Sequence, residues 1–343
     1  MIYNIQSLRA VAAMLVVIAH LDAMFVSAGW QGGRVAFGTS GVDLFFTISG
    51  FVMVYTTARK PSRPWSFLLD RIIRIAPMYY LLTILVFLVA LIAPRLLGST
   101  TASLNELLKS IFFIPFKKSS GEIQPVLFLG WTLNYEMFFY TLFAIILTVN
   151  STSKRIIILT ISLITLVVFG IIINKNSTAL FFYTRPVILE FASGAWIGLF
   201  YLRGYRISTP AASIFLILSI IVMVGWFSWW PNQERAVWSG TMSSIILLCA
   251  LSLPQVNIKF VQSIGSASYS LYLIHPFLII PMTKIFLSLE ILDSTANILL
   301  CSFFAVSISC IVSIAIHRLV EKPLTEFIKL KFGKSTIHPT YNN

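Results

Sequence analysis

The sequence predicts an all-α protein that crosses a membrane about ten times and keeps both termini in the cytoplasm. Hydrophobic residues make up 57% of the 343 residues and charged residues only 11%, against about 25% charged in an ordinary soluble domain. A water-soluble fold of this length cannot bury that much apolar surface. The formal net charge is +13, but the basic residues are scattered between apolar runs, which argues against a nucleic-acid-binding module.

Ten apolar segments are candidates to cross a hydrocarbon core about 30 Å thick, which takes about 20 residues of helix. Their approximate bounds are Gln6–Val26, Val42–Ala58, Ala76–Leu97, Trp131–Val149, Ile156–Ile173, Val187–Leu202, Thr209–Phe227, Val237–Leu253, Ser266–Phe286 and Ser294–His317. No charged or Pro/Gly/Ser-rich linker divides the chain. We therefore expect one membrane domain over residues 1–323 and a short basic cytoplasmic tail over residues 324–343.

The distribution of basic residues gives the orientation, since Lys and Arg concentrate in cytoplasmic loops. One set of connections is basic, for example at Arg59–Arg63 and at Arg203 and Arg206, and so is the C-terminal tail. The opposite set carries fewer basic residues, several of them in one long outer loop. Within that loop, residues Leu104–Phe113 have an amphipathic pattern that suits either a helix in the membrane interface or an ordinary loop helix.

Arg9 and His20 interrupt the first apolar segment, where a charged side chain costs at least about 2.5 kcal/mol. Eleven steps of about 100° bring the two residues to within about 20° of one helical face, over a rise of about 16 Å. Counted from Gln6, Arg9 lies about 5 Å deep and His20 about 21 Å deep, in the outer half of the membrane. This stripe indicates a functional path. A snorkelling arginine and a histidine bonded to a neighbouring helix form the structural alternative.

Two carboxylates are candidates to orient His20. Glu136 lies about 8 Å below the outer surface, close to the depth of about 9 Å expected for His20. A carboxylate on one ring nitrogen would leave the other nitrogen free to take a proton from a hydroxyl, which is general-base chemistry. Asp43, near the outer start of the second segment, is an alternative partner, although it could equally cap its own helix.

Arg71 and Arg74 are one helical turn apart at the cytoplasmic start of the third segment. Both guanidinium groups can therefore face one anion, as a phosphate-bearing ligand would require. The alternative is a basic anchor that grips lipid headgroups.

Four residues on the outer side are candidates to bind a second substrate. Trp131 opens the segment that holds Glu136, and Tyr140 lies one turn beyond Glu136 on the same face. Arg185 and Glu190, at the outer start of the sixth segment, are near enough in sequence to pair, and could equally contact a polar acceptor.

His275 follows Tyr269 and Tyr272 along one side of the ninth segment and lies near the midplane. It could line a pathway or make a helix contact before a proline kink. No GxSxG turn marks a serine nucleophile, and histidines scattered over separate helices make a weak metal site, so we expect no metal.

Six motifs together resemble the acyltransferase-3 family of membrane acyltransferases, particularly its members that O-acetylate bacterial surface carbohydrates. In the order of the family they are Arg-x10-His at Arg9 and His20, GVDLFFTISGF around Asp43, RIIRIAP with Arg71 and Arg74, WTLNYEMFFY around Glu136, ILEFASGAWIG around Glu190 and SYSLYLIHPF around His275. Any one of them is weak, but six in order on the predicted helices are specific. The match runs from the first segment nearly to Lys322-Pro323.

The resemblance implies an enzyme of the bacterial inner membrane that transfers an acyl group, usually acetyl, from cytoplasmic acyl-CoA to a hydroxyl of a surface or lipid-linked polysaccharide. By that resemblance His20 is the base, Arg9 serves the transfer path or the donor, and Arg71 and Arg74 receive the phosphates of acetyl-CoA. Some members carry an added soluble C-terminal domain. This chain ends soon after its last segment, so we expect the membrane part to complete the transfer or to hand it to another protein.

Two other classes of function are consistent with the same residues. Buried ionisable groups also mark transport paths, so Arg9, His20 and Glu136 could form the proton or substrate path of a transporter or flippase. That alternative predicts substrate movement without acyl-CoA consumption. A structural anchor for a glycan-assembly complex would require none of the three residues beyond folding.

Overall fold

The protein is described here by a computed structural model that covers residues 2–31, 35–97, 100–172, 177–229 and 235–332. In these ranges every regular element is a helix, and an isolated antiparallel bridge joins Lys117 and Ile123. The helices are α1 (Tyr3–His20), α2 (Asp22–Ser27), α3 (Ser40–Arg59), α4 (Pro64–Ile92), α5 (Leu104–Ile111), α6 (Trp131–Ile146), α7 (Thr152–Ile172), α8 (Thr178–Tyr183), α9 (Leu189–Leu202), α10 (Thr209–Trp229), α11 (Arg235–Ser252), α12 (Lys259–Ser266), α13 (Ser268–Ser288), α14 (Thr295–Ile316) and α15 (Lys322–Phe332). A π-helical turn over His317–Glu321 joins α14 to α15.

The lengths and apolar character of these helices define a multi-pass membrane protein. Within the described ranges, six helical stretches are long and apolar enough to cross a membrane, namely Tyr3–Ser27, Ala36–Arg59, Pro64–Ile92, Thr152–Ile172, Ser268–Ser288 and Thr295–Phe332. Shorter apolar helices cover Pro186–Leu202, Thr209–Gly225 and Val237–Ser252. Each of the ten predicted segments coincides with one of these stretches or with α6. The count of ten spans and the cytoplasmic placement of both termini stay predictions. Residues 333–343 of the predicted tail lie outside the described residues.

Helices α3 and α9 form a tightly packed pair in the interior. A Cβ atom at Gly50 would collide with the backbone carbonyl of Phe191, and one at Gly194 would collide with the carbonyl of Thr47. Small residues are common where membrane helices approach this closely, because van der Waals packing replaces the hydrophobic effect as the force between helices. The close approach fixes the position of α3, one of the helices that carry the site described below.

The chain turns into the protein interior before α6 begins. Val126, Leu127 and Leu129 are buried although they precede the helix. The amide of Val126 donates to Ser110 Oγ at 2.9 Å, which ties this stretch to the end of α5. The segment before α6 is therefore covered by other parts of the protein, which anchors the start of the helix within the bundle.

Tyrosine hydroxyls hold the C-terminal end of α5 against the helix bundle. Tyr79 donates to the carbonyl of Ser110 at 3.2 Å and Tyr80 to that of Ile111 at 2.8 Å. Tyr183 donates to the carbonyl of Phe113 at 3.0 Å, and burial raises its pKa to about 12, so its phenol stays protonated at neutral pH. The predicted amphipathic helix in the outer loop is thus present. Its contact with the membrane interface stays a prediction.

The packing of α3 on α9 gives a direct test. We expect Gly194→Ala to lower the thermal stability of the purified protein in detergent, because overpacking of this kind costs about 1–3 kcal/mol. Gly225→Ala is the matched control, since a Cβ at Gly225 in α10 would meet no atom within 4 Å. Alanine in a helix is favoured over glycine by up to about 1 kcal/mol, so the control should hold or raise the melting temperature. Equal melting temperatures for the two variants would contradict the proposed close contact.

Candidate active site

A cavity of about 130 Å³ lies among α1, α3, α4, α6 and α13. Along α3 its lining extends from Val42 to Met53, a rise of about 16 Å. The polar residues that line it are Arg9, Ser49, Arg74, Thr132, Glu136, Tyr140, Ser268, Tyr269 and Tyr272. The cavity therefore brings together residues from distant parts of the chain, several of which the sequence singles out.

Arg9 is fixed by side chains of α1 and α13 at one end of the cavity, which is the inner end in the predicted orientation. Its Nη1 donates to Gln6 Oε1 at 3.2 Å and its Nη2 donates to Ser268 Oγ at 2.9 Å. Arg74 and Glu321 lie within electrostatic range. Two neutral oxygens and nearby charges thus hold the guanidinium in one place, with part of its surface facing the cavity.

Glu136 lies with the arginines. Tyr140, one turn further along α6, donates its hydroxyl to Glu136 Oε1, and Ser49 donates to the same oxygen at 3.4 Å. Arg9 and Arg71 are within electrostatic range of the carboxylate. The prediction that Glu136 and Tyr140 share a face is confirmed, and the carboxylate offsets part of the positive charge at this end.

The predicted pair of His20 and Glu136 is not formed. His20 Nδ1 bonds to the carbonyl of Val16 at 2.9 Å, and neither Glu136 nor Asp43 bonds to the ring. The prediction compared depths counted from the ends of helices, but the segment just before α6 is already buried within the protein. Depth alone also leaves out the rotation of α6 about its own axis, which turns Glu136 toward Arg9. From the sequence, Arg9 is expected near the inner side of the membrane and both Glu136 and His20 near the outer side. For Glu136 this placement is wrong, because its carboxylate lies near Arg9.

A backbone carbonyl determines the tautomer of His20 instead. A carbonyl oxygen can only accept a hydrogen bond, so the nitrogen that contacts it must carry the proton. His20 is accordingly protonated on Nδ1, and Nε2 carries the lone pair. The carbonyl of Val16 thus takes the place of the expected carboxylate. It holds one ring nitrogen of His20 and leaves the other free to act as a base.

Helix α13 runs beside α1 in the same direction. Arg9 contacts Ser268 near the start of α13, and the rings of His20 and His275 meet further along, with centroids 4.6 Å apart. Tyr272 lies between these contacts and lines the cavity. The predicted stripe on the ninth segment is therefore confirmed, and it leads from the arginine end of the cavity to His20.

Arg71 and Asp43 lie beside the site without lining the cavity. Arg71 has its Cζ 5.3 Å from the Phe67 ring centroid and lies within electrostatic range of Tyr140 and Arg74. Asp43 is fully buried in the first turn of α3, where the helix dipole favours a carboxylate.

The remaining predicted residues, Trp131, Arg185 and Glu190, lie outside the lining of the cavity. Trp131 is partly buried against Tyr135, with ring centroids 6.0 Å apart, and does not line the cavity. Arg185 is exposed, near Phe181 and Tyr135, whereas Glu190 is buried against Gly240 of α11. Arg185 and Glu190 therefore do not pair. A 3-10 turn over Pro186–Ile188 lies between them, and both side chains stay within electrostatic range of Tyr135.

Glu321 is a residue that sequence reasoning missed. Its Oε2 accepts from Ser270 Oγ at 2.5 Å and lies 2.9 Å from His317 Nδ1, and Arg9 is within electrostatic range. It sits in the π-helical turn, a feature often found at functional sites. The signals in the sequence are His317 one helical turn earlier and the position beside Lys322-Pro323, which marked the end of the predicted domain rather than a site.

The helices and the cavity lined by charged residues define a multi-pass membrane protein, and comparison with known proteins shows its family. A family model described as an acyltransferase domain matches residues 2–317. The chain therefore belongs to the acyltransferase-3 family of membrane acyltransferases. It is similar to the exopolysaccharide production protein ExoZ of Rhizobium meliloti (strain 1021), with 34% identity over 308 residues that cover 88% of this chain and 94% of the relative. No solved structure matches.

The charge balance at the inner end can be tested without an activity assay. We expect Glu136→Gln to lower the free energy of unfolding by about 1–3 kcal/mol, because Arg9 and Arg71 lose a nearby negative charge in a poorly solvated site. Thermal unfolding in detergent measures the change. Glu326→Gln is the control, since Glu326 lies 3.9 Å from Lys322 with both side chains exposed, and such pairs contribute about 0–1 kcal/mol. No larger effect at Glu136 than at Glu326 would contradict this account.

Proposed function

We propose that this membrane acyltransferase moves an acyl group, most simply acetyl, from cytoplasmic acyl-CoA to a hydroxyl of a surface or lipid-linked polysaccharide at the bacterial inner membrane. The observation that carries the proposal is the cavity, because it extends from arginines at one end to Tyr272, beside the two histidines, at the other. Such a path would let a donor that enters from the cytoplasm present its acyl group near the outer face.

The charge at the inner end supports binding of the donor's phosphates. The lining of the cavity carries two arginines, Arg9 and Arg74, against one carboxylate, Glu136. The excess positive charge favours an anion, and guanidinium groups bind phosphate oxygens through paired hydrogen bonds. Arg9 and Arg74 line the cavity, so they are the two assigned to direct contact, with Arg71 beside them.

The wall of the cavity supports the path of the pantetheine arm. Apolar side chains of α3, among them Val42, Phe45 and Ile48, form one side of it. Ligand sites typically combine such an apolar lining with a few placed polar groups. A donor with its phosphates at the inner end and its thioester near Thr132 and Tyr272 would occupy the full length of the cavity.

His20 supplies the base in the proposed reaction. Its Nε2 takes the proton of the acceptor hydroxyl while the hydroxyl oxygen attacks the thioester carbonyl carbon. The carbon–sulfur bond then breaks, and coenzyme A leaves as a thiolate that is protonated to the thiol. A positioned general base contributes about 10²–10⁴ to the rate.

A polysaccharide acceptor is supported by the relative, whose name describes exopolysaccharide production. Trp131 and Arg185 both neighbour Tyr135, so they form one surface on α6 and the segment before α9. We assign this surface to acceptor contact. Glu190 is buried against α11 and is left out of it.

Replacement of His20 tests the base. His20→Asn keeps a donor for the carbonyl of Val16 but removes Nε2, so we expect transfer to fall at least about 100-fold while the melting temperature holds. Proteoliposomes supplied with radiolabelled acetyl-CoA and purified exopolysaccharide give the rate of acetyl incorporation. Unchanged transfer would remove His20 from the reaction. Glycan movement across the bilayer without release of coenzyme A thiol would contradict the acyltransferase and favour a transporter.

Replacement of Arg74 tests the donor site. We expect Arg74→Gln to raise the KM for acetyl-CoA about tenfold or more, because one charged hydrogen bond to phosphate contributes about 1.5–3 kcal/mol. Arg203→Gln is the matched control, since Arg203 is exposed and donates to Ser153 Oγ at 3.0 Å, outside the cavity. A KM that rises equally in both variants, or in neither, would count against the assignment.

A further inference from the structure

His20 and His275 form a pair of imidazoles in which both rings have the same tautomer. His20 Nδ1 contacts the carbonyl of Val16 at 2.9 Å, and His275 Nδ1 contacts the carbonyl of Leu271 at 3.0 Å. Each carbonyl lies four residues earlier on the same helix and can only accept. Both rings therefore carry their proton on Nδ1 and a lone pair on Nε2, and the rings meet in a T-shaped contact with centroids 4.6 Å apart.

The Nε2 atom of His275 is buried without a hydrogen-bond partner, although its ring is fully enclosed. Leaving a buried polar atom unpaired costs about 1–3 kcal/mol, and native structures contain few such atoms. Packing alone would be served as well by an apolar ring. The unused lone pair beside His20 thus requires a different explanation.

We infer that His275 shares the proton that His20 takes from the acceptor hydroxyl. The inference rests on the proposed function. As the oxygen–hydrogen bond of the hydroxyl breaks and the new oxygen–carbon bond forms, the proton moves to Nε2 of His20. The lone pair on Nε2 of His275 then accepts that proton or a hydrogen bond from it, and the positive charge is spread over two rings.

This role explains why His20 needs no carboxylate. An imidazolium in a poorly solvated site requires a partner, and in the described structure neither Glu136 nor Asp43 bonds to the ring. A second neutral imidazole can stabilise the cation without adding a negative charge that would hold the proton permanently. When the carbon–sulfur bond breaks, the shared proton passes to the thiolate of coenzyme A, and both rings return to the neutral state.

The position of His275 suits the return of the proton to the donor. Tyr272, one turn earlier on α13, has its ring centroid 6.3 Å from that of His275, and its hydroxyl lies 2.7 Å from Thr132 Oγ1. Both hydroxyl-bearing residues line the cavity. The imidazole pair thus lies next to the end of the cavity at which the thioester is proposed to react.

Two substitutions at His275 separate proton sharing from packing. His275→Asn can still donate to the carbonyl of Leu271 but has no atom at the position of Nε2, whereas His275→Gln can place an amide oxygen there. In the proteoliposome assay we expect His275→Asn to lower kcat about 10–100-fold with an unchanged KM for acetyl-CoA, and His275→Gln to recover part of the loss. Wild-type kcat in the asparagine variant would overturn the inference.

Rates in mixtures of H2O and D2O provide a second measurement that needs only the wild-type protein. The proposed step moves one shared proton, which gives a straight-line dependence of kcat on the deuterium fraction, whereas a relay of two protons gives a curve. We expect a straight line for the wild type. A curve for the wild type overturns the inference even if the variant fails to fold. Absence of transfer by the wild type to every glycan acceptor would overturn the proposed function and, with it, this inference.

Discussion

Arg9 carries a charge among the helices of a membrane protein, where an unpartnered guanidinium costs at least about 2.5 kcal/mol. Its partners come from widely separated parts of the chain: Gln6 on α1, Ser268 on α13, and Glu136 on α6 within electrostatic range. Because these groups must converge on one point, they bring together several of the helices that enclose the cavity. The inner end of the site therefore holds a charge that requires partners, and those partners bring the neighbouring helices together.

The two ends of the cavity rely on different physics. At the inner end, charged side chains face each other, and the Glu136 carboxylate offsets part of the positive charge of Arg9 and Arg74. The contacts that His20 makes with described residues are with neutral groups, namely the carbonyl of Val16 and the rings of Phe128 and His275. A second imidazole stands where a carboxylate is more usual. In the proposed reaction this division is useful, since phosphates require a strong positive field, whereas a base that must release its proton again is served better by a neutral partner.

Sequence patterns predict the helices of this protein well, because a run of apolar residues long enough for the bilayer leaves the backbone little choice but a helix. They also predict relations within one helix. The stripe of Tyr269, Tyr272 and His275 and the shared face of Glu136 and Tyr140 follow from helical spacing alone. The six motifs led to the correct family.

Relations between helices could not be predicted in the same way. Depth counted from a helix end assumes that the chain leaves the protein interior there, whereas the residues before Trp131 are themselves buried. Rotation about the axis is set by packing, such as the glycine contacts of α3 with α9, which a hydropathy pattern does not record. Glu321 was missed because its partners, Ser270 and Arg9, are remote in sequence.

The parallel contact of α1 with α13 has a consequence for biosynthesis. Arg9 and Ser268 are separated by 259 residues, a stretch that a bacterial ribosome needs roughly 10–50 seconds to translate at about 5–20 residues per second. Throughout that interval α1 has been made, but α13, whose Ser268 accepts a hydrogen bond from Arg9, has not yet been translated. The site therefore cannot assemble in the order in which the chain emerges, and the insertion machinery or the lipid must shelter a buried cation until nearly the whole protein has been made.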